Sequence, residues 1–138
     1  MIKGMRIIYG IGINGRGIDD INDKINGKIV YDIRRSKYKY YKKDFKCEEY
    51  IDCMKIFPAF ITPKSLFLMY KSGYIDEKEF EQQFITILEE WEDVINRDEV
   101  LSKLNGVVLL CYEKPDEFCH RKVIAKFLER FGFIYEEL

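Results

Sequence analysis

Apolar residues recur along this chain with two periods, and the period changes mark its elements. Residues 5–10, Met-Arg-Ile-Ile-Tyr-Gly, form a short apolar run ended by glycine, which predicts a buried strand. Ile18, Ile21 and Ile25 then recur at helical spacing and stop at Gly27. Residues 28–33 return to a strand pattern, whereas residues 34–57 carry no clear period and predict a long loop with one helical turn at most. Thr62-Pro63 is a helix-start pair, a hydroxyl N-cap followed by proline at the first helical position, for a helix to Lys71 that stops at Gly73. Asp76 with Glu79 forms a capping-box-like pair ahead of a stripe made by Phe80, Phe84, Ile87, Leu88, Trp91 and Ile95. A short helix over 97–104 follows. Residues 106–112, Gly-Val-Val-Leu-Leu-Cys-Tyr, are continuously apolar, as strands buried on both faces are. Residues 116–132 return to helical spacing, and residues 133–138 predict a last short strand. Strands alternating with helices predict a single α/β domain over residues 1–138, with a mostly parallel sheet of about four strands flanked by helices.

Composition agrees with a folded domain. The chain has 138 residues, 47% hydrophobic, with ten Tyr and ten Phe, enough to fill a core. The net charge is −1, but residues 34–46 (Arg-Arg-Ser-Lys-Tyr-Lys-Tyr-Tyr-Lys-Lys-Asp-Phe-Lys) hold seven Lys/Arg against one Asp. No stretch reaches the roughly 18–20 apolar residues that span a bilayer, so no membrane partner is expected. The N-terminal apolar run is too short for a signal peptide and is interrupted by glycine. The four cysteines, 47, 53, 111 and 119, are then expected to be reduced thiols in the cytoplasm.

The densest chemistry lies in Val-Val-Leu-Leu-Cys-Tyr-Glu-Lys-Pro-Asp-Glu-Phe-Cys-His-Arg, residues 107–121. A parallel strand delivers the chain to the carboxyl edge of the sheet, where such folds bind ligands. Cys119, the single histidine His120 and Arg121 fall at the start of the next helix, where free N–H groups favour an anion and lower a thiol's pKa. Histidine could carry a proton, and arginine could grip a phosphate or carboxylate. Helical spacing also puts His120 in line with Ile124, Phe127 and Phe131, so packing under the sheet is the competing reading. Cys111, inside the apolar run, reads as core. The Cys-x7-Cys-His and Cys-x5-Cys spacings match no structural zinc pattern, and no metal is expected.

Gly10-x-Gly12-x-x-Gly15 has the spelling of a dinucleotide-binding turn, with Asp32 following 17 residues on. Its helix pattern is short and a second half is missing, so a tight strand-to-helix turn is the competing reading and no cofactor is expected. Asp32 and Arg34 flank Ile33 and could share one face of the sheet, either as a structural ion pair or as groups that orient a ligand. In the basic run, Lys37, Lys39, Lys42 and Lys43 alternate with Tyr38 and Tyr40, a pattern that can neutralise phosphates and stack on bases, or simply be solvated.

These segments, in order, resemble the domain-of-unknown-function 488 family. Ile-Ile-Tyr-Gly-Ile-Gly-Ile-Asn-Gly-Arg-Gly-Ile-Asp-Asp is similar to its opening strand and turn, and Ile-Val-Tyr-Asp-Ile-Arg-Arg to its second strand. Residues 61–84 resemble its middle segment, and Leu-Leu-Cys-Tyr-Glu-Lys with Cys-His-Arg its most distinctive motif. The resemblance points to Asp32, Arg34, Cys111, Glu113, Cys119, His120 and Arg121. The expected site has His120, Cys119, Asp32 and Glu113 as catalytic groups, with Arg34, Arg121, Tyr9, Gly12 and Cys111 as ligand contacts. The expected ligand is an anionic small molecule or nucleic acid, and the expected chemistry is group transfer or hydrolysis. A binding module without chemistry, built on the Tyr/Lys run, is the alternative.

Overall fold

The computed structural model describes residues 6–56 and 58–138. Five strands form one sheet: β1 (Arg6–Gly12), β2 (Ile29–Asp32), β3 (Glu49–Asp52), β4 (Val108–Cys111) and β5 (Phe133–Glu137). Their order is β3-β2-β4-β1-β5, and every pairing is parallel. Six α-helices are α1 (Ile18–Ile25), α2 (Cys53–Ile56), α3 (Lys64–Lys71), α4 (Glu77–Val94), α5 (Arg97–Leu104) and α6 (His120–Glu129). The expected α/β class and single sheet therefore hold, with five strands rather than four. Met5, expected to open the first strand, lies outside the described residues.

The extra strand is β3, inside the segment expected to be a loop. Its sequence, Glu-Tyr-Ile-Asp, has charges at both ends, and none of its residues is fully buried. It is an edge strand, where charge discourages pairing with another chain, so its apolar signature is weak. The same segment, expected to hold one helical turn at most, holds two, a 3-10 turn at Lys42–Asp44 and α2 directly after β3.

Alternation along the strands sorts the core onto two faces. Ile8, Tyr31, Ile33, Leu109 and Cys111 point to one face, which α4 and α6 cover. Ile11, Ile13, Val30, Val108 and Leu110 point to the other, with Ile21 and Ile25 of α1. The β1–α1–β2 crossover thus covers one face, and the β4–α6–β5 crossover covers the other. β1 and β4 are neighbours whose chains leave in opposite directions, which opens a crevice beyond their carboxyl ends.

Helix starts follow their caps. Asp76 accepts from the Glu79 N–H at 2.8 Å, and Asn96 accepts from the Glu99 N–H at 3.4 Å, opening α4 and α5. Two starts differ from expectation. Thr62 is buried and does not cap α3, whose N-cap is Pro63 with no side-chain bond. α6 begins at His120 rather than near Asp116, because residues 113–118 fold into a turn closed by Lys114 N–H to a Glu117 carboxylate oxygen (3.0 Å).

Candidate functional site

Beyond the carboxyl ends of β2 and β4 lies a cavity of about 620 Å³. Cys111, Glu113, Cys119 and His120 line it together with Arg34. Ile33 and Arg34 here meet Glu113, Cys119 and His120 from a segment far away in sequence.

Cys119 is the N-cap of α6, and its sulfur accepts the Arg121 backbone N–H at 3.4 Å, the position a serine or aspartate oxygen usually fills. The sulfur lies 3.2 Å from a Glu113 carboxylate oxygen and 3.9 Å from His120 Nδ1. Burial alone would raise this thiol's pKa. The Cys111 thiol, the His120 ring and Arg121 outweigh that and hold it well below the ordinary thiol value.

His120 is half-buried and opens on the cavity. Its Nε2 lies 2.9 Å from the Ile33 carbonyl, which can only accept, so Nε2 carries a proton and Nδ1 faces the sulfur. The ring stacks on Phe84 at 6.1 Å between centroids. Burial works against the imidazolium, but the Cys119 sulfur and the Ile33 carbonyl favour it and raise the pKa. Glu113 is shifted upward by burial and then by Cys119. The carboxyl shift and the thiol shift run toward each other, between groups that face at 3.2 Å.

Cys111 ends β4 with its sulfur 2.7 Å from that of Cys119. Its own pKa is pushed well up, first by burial and then by Cys119. It is therefore the protonated member that donates to Cys119. Among the described residues, Cys111, Glu113 and Cys119 form one trio whose metal-binding atoms all lie within 4.8 Å of one another. Two thiolates bound tetrahedrally at about 2.3 Å from zinc stand about 3.8 Å apart. The two sulfurs, 2.7 Å apart, stand closer than two ligands of one zinc ion and inside ordinary van der Waals contact.

The two arginines expected to grip an anion are both turned inward. Arg34, 1% exposed, spends all five N–H donors within the protein. It bonds the Asp32 carboxylate, the Lys39 and Tyr40 carbonyls and the Tyr112 hydroxyl. Asp32 also accepts from the Tyr50 hydroxyl at 2.5 Å. Burial disfavours the Arg34 charge, and Asp32 more than offsets it. Arg121, 0% exposed, bonds Cys111 Sγ and the Glu113 carbonyl, each at 2.9 Å, and the Glu137 carboxylate. Asp32 bonds Tyr50 and Arg34, whose guanidinium lies over the Phe45 and Tyr112 rings, on the α1 face, whereas Cys119 and His120 lie on the α6 face. The structure therefore does not bring the Asp32 carboxylate to His120, because residues 32 and 33 point to opposite sides of a pleated sheet. What segment 32–34 gives His120 is the Ile33 carbonyl.

Tyr9 and Gly12 also stand away from the cavity. Tyr9 is mid-strand, on the α1 face, with the Lys28 ammonium 5.2 Å from its ring centroid. Gly10 and Gly12 belong to β1 rather than to a turn. A Cβ on Gly12 would lie 1.6 Å from the Glu113 carbonyl oxygen, and one on Gly10 would lie 2.0 Å from the Tyr135 hydroxyl. Their space is taken by the protein's own atoms rather than by a pyrophosphate, and only Gly15 of the three has the positive φ of a turn (76°).

The basic run is the β2–β3 crossover, tied down at several points. Arg34 holds the Lys39 and Tyr40 carbonyls, the Tyr40 hydroxyl donates to the Arg16 carbonyl (3.0 Å), and Lys37 pairs with Asp52 (3.0 Å). The Lys39 ammonium lies over the Tyr40 ring. Lys42 and Lys43 are exposed in the 3-10 turn. Tyr38 is 66% exposed, stacks on Tyr112 at 4.3 Å and lines the cavity.

Other walls were not legible in the sequence. Phe67, Tyr70, Phe80 and Phe118 supply aromatic surface, and Arg35 and Lys71 supply cations. Arg35 Nε donates to the Thr62 carbonyl at 2.7 Å, and no bond is found from its terminal nitrogens among the described residues. Four carboxylates, of Glu77, Glu113, Asp116 and Glu117, also line the cavity, so its charge is mixed. Nothing in the local pattern of residues 35, 67 and 71 distinguishes them from surface positions; only the docking of α3 beside the α6 start assembles them.

No helix among the described residues is long and apolar enough to cross a membrane. No curated protein and no solved structure matches the chain. The family model described as a domain of unknown function, DUF488, matches residues 16–128, which takes in α1, the Arg34 cluster and the whole Cys119–His120 site, and the chain belongs to that family.

Proposed function

We propose that this protein is a thiol-dependent group-transfer or hydrolytic enzyme acting on a small nucleoside-like or nucleotide-like ligand. The observation that carries the reading is the Cys119 sulfur held between His120 Nδ1 and a Glu113 carboxylate oxygen on the floor of a ligand-sized cavity. In the reaction, the Cys119 thiolate bonds to an electrophilic carbon or phosphorus. The leaving group departs with a proton from His120. Water or a second hydroxyl then displaces the sulfur while His120 takes its proton back, so the free enzyme is restored.

The walls support the ligand class. Tyr38, Phe67, Tyr70 and Phe118 offer faces for a flat ring. Arg35 and Lys71 are the cations available to a negative group, in place of the inward-turned Arg34 and Arg121. Glu77, Asp116 and Glu117 favour hydroxyl donors such as those of a sugar and disfavour a polyphosphate. A nucleoside or nucleoside monophosphate satisfies all three.

The test is a panel of nucleosides and nucleoside 5′-monophosphates, followed by product chromatography and by intact mass after acid quench. Native protein is expected to turn over at least one member and to show an adduct at Cys119. Cys119→Ala and His120→Ala should lose turnover by about 100-fold or more. Undiminished turnover in Cys119→Ala, or a panel with no member bound, contradicts the reading.

One observation favours a second reading, a nucleic-acid-binding module: Tyr38 is exposed near the exposed Lys42 and Lys43. Binding of single-stranded oligonucleotides should then weaken steeply with salt. Salt-independent binding, or none, removes it.

A further inference from the structure

One nucleophile accounts for Cys119 but leaves Cys111 to be explained. Cys111 ends β4, Cys119 caps α6, and the turn between them folds back until their sulfurs lie 2.7 Å apart. Neither is bridged. A disulfide is about 2.05 Å long, so bond formation asks for a further approach of about 0.7 Å. No other two sulfurs are in contact among the described residues. Both thiols are almost wholly buried but line the cavity, so a small solute would approach them from that side. Arg121 places a guanidinium nitrogen 2.9 Å from Cys111 Sγ, where it stabilises negative charge as that thiol loses its proton.

We infer that Cys111 and Cys119 are a hydroperoxide-oxidisable dithiol, converted by peroxide entering the cavity into a reversible disulfide that withdraws the Cys119 nucleophile. The inference rests on the proposed function only in taking Cys119 as the reactive sulfur. The Cys119 thiolate attacks one peroxide oxygen, the O–O bond breaks, and the departing hydroxide leaves as water with a proton from His120. Sulfur is oxidised to a sulfenic acid. Cys111 sulfur then attacks Cys119 sulfur, the S–O bond breaks, and the Cys111 proton leaves with that oxygen as a second water. Two thiols and one hydrogen peroxide thus give one disulfide and two waters, a two-electron oxidation. A dithiol reductant reverses it by supplying two electrons and two protons. Without Cys111, the sulfenic acid would have no neighbouring thiol and would proceed to sulfinic acid.

The full chain, reduced and freed of reductant, is titrated with hydrogen peroxide and followed by intact mass, peptide mapping and iodoacetamide labelling. The expected result is a loss of two hydrogens, a linked Cys111–Cys119 peptide, and loss of Cys119 labelling that dithiothreitol restores. Cys111→Ser should instead gain oxygens on Cys119 and form no link. If that variant does not fold, dimedone trapping in the native chain, with the label on Cys119 ahead of the link, gives the same order of events. Oxygenation of native Cys119 without a link, a link through Cys47 or Cys53, or unchanged mass overturns the inference. Native protein whose Cys119 labels readily yet never links loses this inference and keeps the proposed function. A Cys119 inert to both reagents loses both.

Discussion

Arg34, just after β2, and Arg121, in the first turn of α6, lie on opposite faces of one sheet's carboxyl edge and teach different lessons. Each is fully buried near the carboxyl end of a strand, and each has a carboxylate partner. On the α1 face, every partner of Arg34 is an oxygen: Asp32, two carbonyls and a tyrosine hydroxyl. Such a cluster is saturated, and it fastens the β2–β3 crossover to the sheet. On the α6 face, Arg121 bonds a thiol as well as oxygens, and that thiol touches a second one that opens on a cavity. The same residue type serves architecture where its partners are closed, and borders chemistry where one partner is a titratable sulfur with access to solute.

The largest break in this comparison comes from Arg34→Ala. It leaves the buried Asp32 carboxylate with only Tyr50 and backbone, and should cost about 3–5 kcal/mol in urea unfolding. Arg34→Lys should recover little of it, because an ammonium cannot span the four partners that the planar fork spans. A loss below about 1 kcal/mol, the scale of an exposed pair, would mean that the cluster is not a clamp. Next in size, His120→Ala should reduce turnover by about 100-fold or more with its circular dichroism unchanged, since the ring's partners are one carbonyl, one sulfur and the Phe84 face. Gly12→Ala should destabilise by about 1–3 kcal/mol, as its methyl must displace the Glu113 carbonyl; a neutral effect would show that the β4–α6 turn yields freely. The smallest effect belongs to Lys37→Ala. It removes a partly exposed pair with Asp52 and should change stability by less than about 1 kcal/mol, and less still at high salt.

The sequence made some of this plain and concealed the rest for physical reasons. β4 was legible because a strand covered on both faces is apolar throughout. α4 was legible because Asp76 caps it and an apolar stripe from Phe80 follows at helical spacing. β3 was hidden because an edge strand carries charges, and the start of α6 was placed near Asp116 because nothing in the sequence shows that the Glu117 carboxylate closes a turn on Lys114. The Cys119–His120 pair was visible as a motif, and its setting at the sheet's carboxyl edge followed from the α/β pattern. The inward turn of Arg34 and Arg121 was not visible: a charge in a sequence does not reveal whether its partners are the protein's own carbonyls. The same limit hid Arg35 and Lys71, whose place at the cavity depends on how α3 packs.

The central claim is that the Cys119 thiol ionises well below the ordinary thiol range, beside His120 on the wall of a cavity. The rate of its alkylation by iodoacetamide as a function of pH reads that state directly. Alkylation follows the thiolate fraction, so a pKa held well below the ordinary 9.0 predicts a half-rise well below pH 9 in the native chain. Removing the imidazole in His120→Ala takes away a group that lowers this pKa, and the half-rise should move upward. A native half-rise at or above pH 9, unmoved by His120→Ala, would contradict the account.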